Sequence, residues 1–206
     1  MDLLDRHQDE ISEARAKNFR KVAALRSDFL HLVLAYVNQP HNISACLRSA
    51  EAFGIQNVHV LTKGKRFKVS GVARGSAKWL DIQRYETFEK LEQTLKNKNL
   101  LLAAAMPSKN AMNLEAVPIE RPLAIVFGNE QKGLDPQWQS IIDIEYTIPM
   151  YGFVSSFNIS VAAAISLFHL NSRMREKLQP EQYLLTPSMQ QNLINGWVEQ
   201  HVGYKD

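Results

Sequence analysis

Cysteine is nearly absent from this chain, because Cys46 is the only one among 206 residues. A single cysteine excludes an internal disulfide and a paired-cysteine metal site. Long apolar runs are missing too, since no stretch reaches the roughly 18 residues that a membrane-spanning helix needs. The chain is charged from Asp2 onward, and no signal peptide is visible at its start. We therefore expect a cytoplasmic protein with no membrane partner.

Several ligand-binding and catalytic signatures are also absent. No GxGxxG or GxxxxGK(S/T) segment is present, which leaves dinucleotide-binding and P-loop interpretations without support. No GxSxG segment marks the nucleophile elbow of a hydrolase. The six histidines form no HxxxH pair, so we expect no metal cofactor.

The composition is that of a folded domain. Apolar residues make up 45% and charged residues 22% of the sequence, and a chain of this length can bury a good core in one domain. Strand-like apolar segments alternate with helix-like amphipathic segments, which predicts an α/β fold with a mostly parallel sheet flanked by helices. We divide this domain into a basic helical extension at 1–26, a core at 27–178 and a helical extension at 179–206.

The individual elements are predicted from the same periodicities. Strands are predicted at residues 29–35, 57–62, 80–85, 100–106, 123–127 and 142–148. Helices are predicted at residues 5–26, 42–53, 86–97, 136–141, 158–177 and 188–201. Gly54 is expected to end the second helix.

Positive charge is concentrated in two segments of a chain whose net charge is +3. Neither segment contains an acid, and glycines and serines mark the second as a loop. Phe67 and Trp79 flank the cations of that loop, an arrangement that suits phosphate contacts and base stacking. Two solvated faces are the alternative. The candidate residues for such contacts are Arg15, Lys17, Arg20, Lys21, Lys63, Lys65, Arg66, Lys68, Arg74 and Lys78.

Three polar loops, at residues 38–42, 127–134 and 148–158, each follow a predicted strand. Ligands of open α/β sheets bind at that edge, so the loops predict a site for a polar small molecule. The third loop also leads into a helix N-terminus, whose N–H groups are free to bind a ligand. Purely structural roles are the alternative, because Asn42 and Asn158 suit helix N-caps and Glu130 suits a cap for its own turn.

Three segments resemble the signature motifs of the SpoU class of RNA ribose 2′-O-methyltransferases, in the SPOUT superfamily. They are PHNISACLRSAEAFG, FGNEQKGL and IPMYGFVSSFNISVAAAISL, and they occur in the family's order. The PHN tripeptide, the GSAKW segment and the short extensions are most similar to the TrmH-type enzymes, which methylate guanosine 18 in the tRNA D-loop. The resemblance implies S-adenosylmethionine as cofactor, tRNA as partner, a C-terminal trefoil knot and a homodimer.

The resemblance also implies a catalytic pocket. By this resemblance, Arg48 corresponds to the family's catalytic arginine. Because arginine stays protonated at neutral pH, we expect it to anchor a phosphate and stabilise the developing alkoxide rather than accept a proton. A surface cation on an amphipathic helix is the alternative. Asn42, Glu130, Ser156 and Asn158 complete the pocket by the same resemblance.

Cofactor-binding positions are implied at Ala104, Gly128, Ile148, Met150 and Phe157, because the family binds its cofactor bent and mainly through backbone groups. Two of these residues depart from the family's pattern. Phe157 stands where leucine is usual, and Ala104 stands where threonine is frequent. Backbone contacts survive both changes, whereas a hydroxyl contact at residue 104 does not.

Two other functions fit the same motifs. A ribosomal-RNA 2′-O-methyltransferase would share the chemistry with a different substrate, and an inactive RNA-binding homologue would share only the fold. The intact set of Asn42, Arg48, Glu130 and Asn158 favours an active enzyme. The alanine-rich segment 161–165 suits a dimer helix and a core helix equally.

Overall fold

The computed structural model describes residues 3–63, 74–106 and 108–203 and contains a seven-stranded sheet. In chain order its elements are α1 (Leu3–Arg6), α2 (Glu13–Ala23), β1 (Ser27–Ala35), α3 (Pro40–Ala52), β2 (Ile55–Leu61), α4 (Arg74–Ala77), β3 (Asp81–Tyr85), α5 (Phe88–Asn97), β4 (Leu101–Ala105), β5 (Met112–Asn113), β6 (Leu123–Phe127), β7 (Ile144–Thr147), α6 (Ile159–Lys177), α7 (Pro180–Tyr183) and α8 (Pro187–Val202). Short 3-10 helices cover Leu114–Ala116 and Pro136–Ser140. No helix in the described ranges is long and apolar enough to cross a membrane.

The sheet confirms the predicted α/β fold. Its strands lie in the order β3-β2-β1-β6-β4-β7-β5, and each pairing of neighbouring strands is parallel. All residues of β2 and β6 are buried. Strands are buried in this way when helices cover both faces of a parallel sheet.

The side chains of β1 show how the two faces are filled. Leu30, Leu32 and Leu34 belong to a core cluster that also includes buried residues of α3 and α6. Val33 and Ala35 belong to a second cluster, with residues of α5. Alternate residues of a strand point to opposite faces, so α3 and α6 cover one face and α5 the other. α3 and α6 also pack against each other.

The prediction of one continuous helix at residues 5–26 is wrong, because two helices cover this segment. α1 ends at Arg6, and α2 begins after Ser12, whose hydroxyl oxygen accepts a hydrogen bond from the backbone N–H of Arg15 at 3.4 Å. This N-cap gives a free backbone donor a partner and starts a second helix. Two short elements, α4 and β5, lie where loops are predicted, because four and two residues are too few to show a periodicity.

The terminal helices α2 and α8 pack against each other through aromatic residues. Phe19, Trp79 and Trp197 form a group whose ring centroids are 5.6–5.8 Å apart. The buried guanidinium of Arg26 lies over the Trp197 ring and donates to the Glu51 carboxylate at 2.9 Å. Because Glu51 belongs to α3, this pair joins the two extensions to the core.

Candidate active site

A cavity of about 680 Å³ lies at the carboxyl ends of β4, β6 and β7. The N-terminal turns of α3 and α6 close its other side. Its walls combine apolar side chains with asparagine, serine and backbone groups. The lining residues are Gln39, His41, Asn42, Ala105, Met106, Phe127, Gly128, Asn129, Glu130, Gly133, Tyr146, Thr147, Ile148, Met150, Ser155, Ser156, Phe157, Asn158, Ile159 and Ala162.

Eight of the ten predicted catalytic and cofactor-binding residues lie in this one cavity. The eight that line it are Asn42, Gly128, Glu130, Ile148, Met150, Ser156, Phe157 and Asn158. They come from three loops that are separated by many residues in the chain, which the fold brings to one edge of the sheet.

A chain of hydrogen bonds connects the three loops. The Asn42 amide nitrogen donates to the Glu130 carboxylate at 3.1 Å, and the Asn42 amide oxygen accepts from the Asn158 amide nitrogen at 3.2 Å. The Asn158 amide oxygen in turn accepts from the backbone N–H of Ser160 at 2.8 Å. All three side chains are therefore held in defined orientations beside the cavity.

The proposed structural role of Asn42 is corrected by this arrangement. Asn42 is not the N-cap of α3, because the helix begins at Pro40 and its N-cap residue is Gln39. Proline suits the first position of a helix, since its fixed φ matches the helical value and no N–H is lost. The Asn42 side chain is consequently free to join Glu130 to Asn158. Asn158 does cap α6, as predicted.

Glu130 caps α3 rather than its own turn. Its carboxylate accepts from the backbone N–H groups of Asn38 and Gln39 at 3.3 and 3.2 Å, in addition to the Asn42 amide. Partial burial pushes the pKa of this carboxyl upward, but these hydrogen bonds outweigh it and hold the pKa below its ordinary value. Glu130 is therefore ionised, and its carboxylate already accepts three hydrogen bonds from the protein.

Asn129 is a site residue that sequence reasoning missed. Its amide oxygen accepts from the backbone N–H groups of Gln131 and Lys132 at 2.9 and 3.0 Å, and its amide nitrogen donates to the carbonyl of Tyr36 at 2.9 Å. Asparagine often stabilises turns in this way, so an asparagine next to Gly128 could have predicted this role. Asn129, rather than Glu130, stabilises the turn.

Gly128 allows this loop to fold back on itself. A Cβ atom at residue 128 would lie 2.4 Å from the carbonyl carbon of Gly133, closer than real Cβ contacts. Gly133 has a φ of +68°, which glycine adopts without strain. Gly128 is therefore needed because the backbone at residue 133 of the same loop lies close to it.

The other two predicted catalytic and cofactor-binding residues, Ala104 and Arg48, do not line the cavity. Ala104 is fully buried inside β4, and the next two residues, Ala105 and Met106, line the cavity in its place. Arg48 is exposed on α3 and does not line the cavity. Arg48 comes six positions after Asn42, which places it about 9 Å along the helix axis and roughly 120° around it.

The loop at the cavity mouth exposes large apolar side chains. Tyr151 and Phe153 are almost fully exposed, and Val154 is 66% exposed. On α6, Val161 and Phe168 are 44% and 59% exposed. Large apolar side chains exposed on a protein surface are typical of interaction sites.

The candidate cations that the structure describes do not line the cavity. Arg15 lies over the Phe19 ring, Lys78 over the Trp79 ring and Lys63 over the Tyr36 ring. Lys17 and Lys21 are exposed on α2, and Arg20 lies 3.8 Å from Asp5. Lys65, Arg66, Lys68 and the side chain of Arg74 lie outside the described part of the chain. Within that part, no cluster of three or more His, Cys, Asp or Glu side chains is placed to hold a metal ion.

Comparisons with known proteins agree in identifying one family. The sequence profile of the SpoU rRNA Methylase family matches residues 29–168. The tRNA (guanosine(18)-2′-O)-methyltransferase of Borreliella burgdorferi is 33% identical over 184 residues, which cover 89% of this chain and 84% of that protein. The 23S rRNA (guanosine-2′-O-)-methyltransferase RlmB of Shewanella oneidensis is 35% identical over 140 residues, 66% of this chain and 56% of that protein.

Among solved structures, the TrmH/SpoU tRNA-modifying enzyme of Aquifex aeolicus is similar along nearly the whole chain. Its crystal structure superposes with a TM-score of 0.84 at 30% identity, over 92% of this chain and 98% of that one. The similarity therefore includes the terminal helices as well as the sheet.

Replacing Glu130 with alanine should destabilise the protein, because three donors at the start of α3 lose their acceptor. We expect the free energy of unfolding to fall by about 1.5–2 kcal/mol, the lower part of the range for hydrogen bonds to charged groups, since water reaches this site. Urea denaturation measures it, and Gln131→Ala in the same loop is the control.

The effect should depend on pH in a defined direction. The folded pKa of Glu130 lies below its ordinary value of 4.5, so its contribution is complete above that value and is lost as the pH falls through the folded pKa. The difference in the free energy of unfolding between wild type and Glu130→Ala should therefore shrink below about pH 4.5. A difference that stays constant down to pH 3 would contradict this.

Proposed function

The chain belongs to the SpoU rRNA Methylase family, and we propose that it uses S-adenosylmethionine to methylate the 2′-hydroxyl of guanosine 18 in tRNA. The protein is a tRNA ribose 2′-O-methyltransferase, in line with its relatives. The observation that carries the proposal is the hydrogen-bonded link from Glu130 through Asn42 to Asn158, which joins all three family motifs around one cavity.

The cavity fits a nucleoside cofactor. Its volume lies within the usual range of small-molecule sites, about 300–1,000 Å³. Ile148, Met150 and Ile159 supply apolar walls suited to an adenine ring, and the loop of Gly128 presents backbone groups at the ends of buried strands. When bound, S-adenosylmethionine supplies an electrophilic methyl group on a sulfonium. We infer that Ala105 and Met106 make the contact at the end of β4, where Ala104 was expected.

We also propose that the chain after β6 is knotted. β6 lies between β1 and β4, whereas the later strand β7 lies on the far side of β4. α6 then returns to pack on α3 and against residues 114–116, and the Arg173 guanidinium donates to the carbonyl of Val117 at 2.8 Å. Passage of the last segment beneath the connection from β4 to β6 accounts for these contacts.

A homodimer explains the position of Arg48. The exposed guanidinium lies outside the cavity of its own chain, so it can serve a site only if that site extends beyond one chain. The exposed apolar residues at the cavity mouth and on α6 offer a surface for a second copy. We propose that this surface forms the dimer contact and that Arg48 holds a phosphate of the RNA bound at the partner's cavity.

The terminal extensions are proposed to hold the body of the tRNA. The aromatic group of Phe19, Trp79 and Trp197 joins α2 and α8 to the end of the basic loop. Lys78, which lies over the Trp79 ring, therefore lies in the same packed region as the cations of α2, and together they suit the spaced phosphates of a folded RNA. With tRNA as the substrate, we propose that the reaction takes place in the cytoplasm.

The ribosomal-RNA alternative has weaker support. The match to the rRNA methyltransferase leaves about a third of this chain uncovered, whereas the match to the tRNA enzyme covers most of it. An inactive RNA-binding homologue would not need the oriented Asn42 and Asn158 side chains. Identifying the RNA that becomes methylated, if any does, tests both alternatives.

The test of the proposed function is methyl transfer from labelled S-adenosylmethionine to unmodified total tRNA and to ribosomal RNA, with mapping of the modified ribose. We expect the label on the ribose of guanosine 18. Arg48→Ala should lower the rate about 10²-fold or more, as loss of transition-state stabilisation does. Binding of S-adenosylhomocysteine should be unchanged. Lys90→Ala, on the opposite face of the sheet, is the control, and label in ribosomal RNA alone would overturn the proposal.

Neutralising the exposed cations of α2 should weaken tRNA binding through phosphate contacts. For Lys17→Gln with Lys21→Gln, we expect the slope of log Kd against log salt concentration to fall by up to about 1–2. Filter binding at several salt concentrations measures the slope. The matched control is Lys90→Gln with Lys96→Gln on α5, and an equal slope in both double variants would show that α2 only faces solvent.

Introducing a charge at Phe168 should break the dimer. Wild type should elute with a light-scattering mass near twice 23.5 kDa, and Phe168→Asp should shift it towards the monomer because a buried carboxylate is costly at an apolar interface. Met189→Asp, which introduces the same charge at another exposed apolar residue, on α8, should leave the mass unchanged. A monomeric wild type would rule out the shared site.

A further inference from the structure

The methylation reaction releases a proton for which the residues considered so far provide no acceptor. The 2′-oxygen loses its hydrogen when it gains the methyl group, so a base near the cavity must take that proton. Arg48, which we place at the partner's cavity, is protonated already and cannot accept a second proton. We therefore look for the acceptor among the side chains that line the cavity.

Three lining side chains can titrate: His41, Glu130 and Tyr146. The Glu130 carboxylate already accepts three hydrogen bonds, and these hold its pKa below the ordinary value, which makes it a weak base. The Tyr146 hydroxyl is buried and donates to the Ser166 hydroxyl at 2.8 Å, and burial raises its pKa. Neither group is suited to accept a proton at neutral pH.

His41 remains, and its position suits the task. It lies on the first turn of α3, directly before Asn42, and its side chain is exposed to solvent while lining the cavity. Imidazole is the side chain whose ordinary titration range lies nearest neutrality. Solvent contact gives a route by which an accepted proton can leave.

No other histidine is placed to replace it within the described residues. His7 bonds to Glu10 on the N-terminal extension. His31 and His59 are buried within the sheet and bond to each other at 2.9 Å. His169 and His201 belong to α6 and α8 and do not line the cavity.

We propose that His41 is the base that accepts the ribose 2′-hydroxyl proton, an inference that rests on the proposed methyl transfer. As the 2′-oxygen forms its bond to the methyl carbon, the carbon–sulfur bond breaks and its electron pair stays on sulfur. The hydroxyl proton passes to an imidazole nitrogen of His41 and then to solvent. Glu130 is the charged group that shares the cavity with His41, because the lining residues of α6, β4 and β7 carry no charge at neutral pH.

The variant His41→Gln tests this role because glutamine keeps a polar side chain of similar length but cannot act as a base near neutrality. We expect kcat to fall at least 10²-fold, the usual contribution of a general base. The KM for tRNA should stay within about 3-fold. The rise of log kcat with pH in wild type should disappear in the variant, and free imidazole should partly restore turnover in His41→Ala.

A second measurement does not depend on turnover. Diethyl pyrocarbonate should modify His41 in the free enzyme, and S-adenosylhomocysteine with tRNA should protect it at least 5-fold, a change that peptide mass spectrometry can resolve. His31 and His59 should stay unmodified and report an intact fold. Fluorescence titration should show unchanged S-adenosylhomocysteine affinity in both His41 variants.

The outcomes separate this inference from the proposed function. If wild type fails to methylate tRNA, the proposed function fails with it. If wild type methylates guanosine 18 while His41→Gln keeps kcat within 3-fold and the same pH profile, only the role of His41 is overturned. Loss of activity through a raised KM alone, with unchanged pH dependence, would also overturn it.

Discussion

The carboxylate of Glu130 holds together loops that are about 90 residues apart in the chain. It fixes the first turn of α3 from outside and orients the Asn42 amide, which in turn fixes the amide of Asn158. An ionised acceptor is well suited to this position, because charge-assisted hydrogen bonds are stronger than neutral ones. The positive end of the α3 dipole adds to the same effect. The shape of the cavity therefore depends on one side chain that is itself partly open to water.

The regular part of the fold could be predicted from local patterns. β6 has the predicted limits, and the parallel sheet follows from apolar strands that alternate with helices. The predictions failed where one residue that starts or caps a helix interrupts or shifts a longer helical pattern. A capping serine divided the first helix at Ser12, and Pro40 moved the start of α3 ahead of Asn42.

The composition of the site could be predicted better than its connections. Eight predicted residues line the cavity, since the resemblance identified the loops and the sheet brings their ends together. The acceptor role of Glu130 could not be predicted, because its donors lie on another loop. Asn129 was missed for a related reason, as its amide spans its own turn and the carbonyl of Tyr36.

The two departures from the family's pattern fall where the structure can tolerate them. Ala104 is enclosed between neighbouring strands, paired with Val126 and Glu145, so its side chain does not line the cavity and the residues after it carry the wall. Phe157 lines the cavity but is 38% exposed, so its larger ring can lie partly in solvent. Ser156 and Asn158 keep their places on either side of it, with Asn158 fixed by Ser160 and Asn42.

This contrast divides the site into two parts with different physical demands. The proposed cofactor side is formed by strand ends and by loops that bond to one another within one chain. The proposed RNA side is formed by exposed groups, namely His41, Arg48 and the apolar residues at the mouth. A large folded substrate needs an open surface, and a reaction that releases a proton needs a base in contact with water. The proposed chemistry therefore requires His41 and Arg48 to be exposed, and it requires Asn42 to be buried.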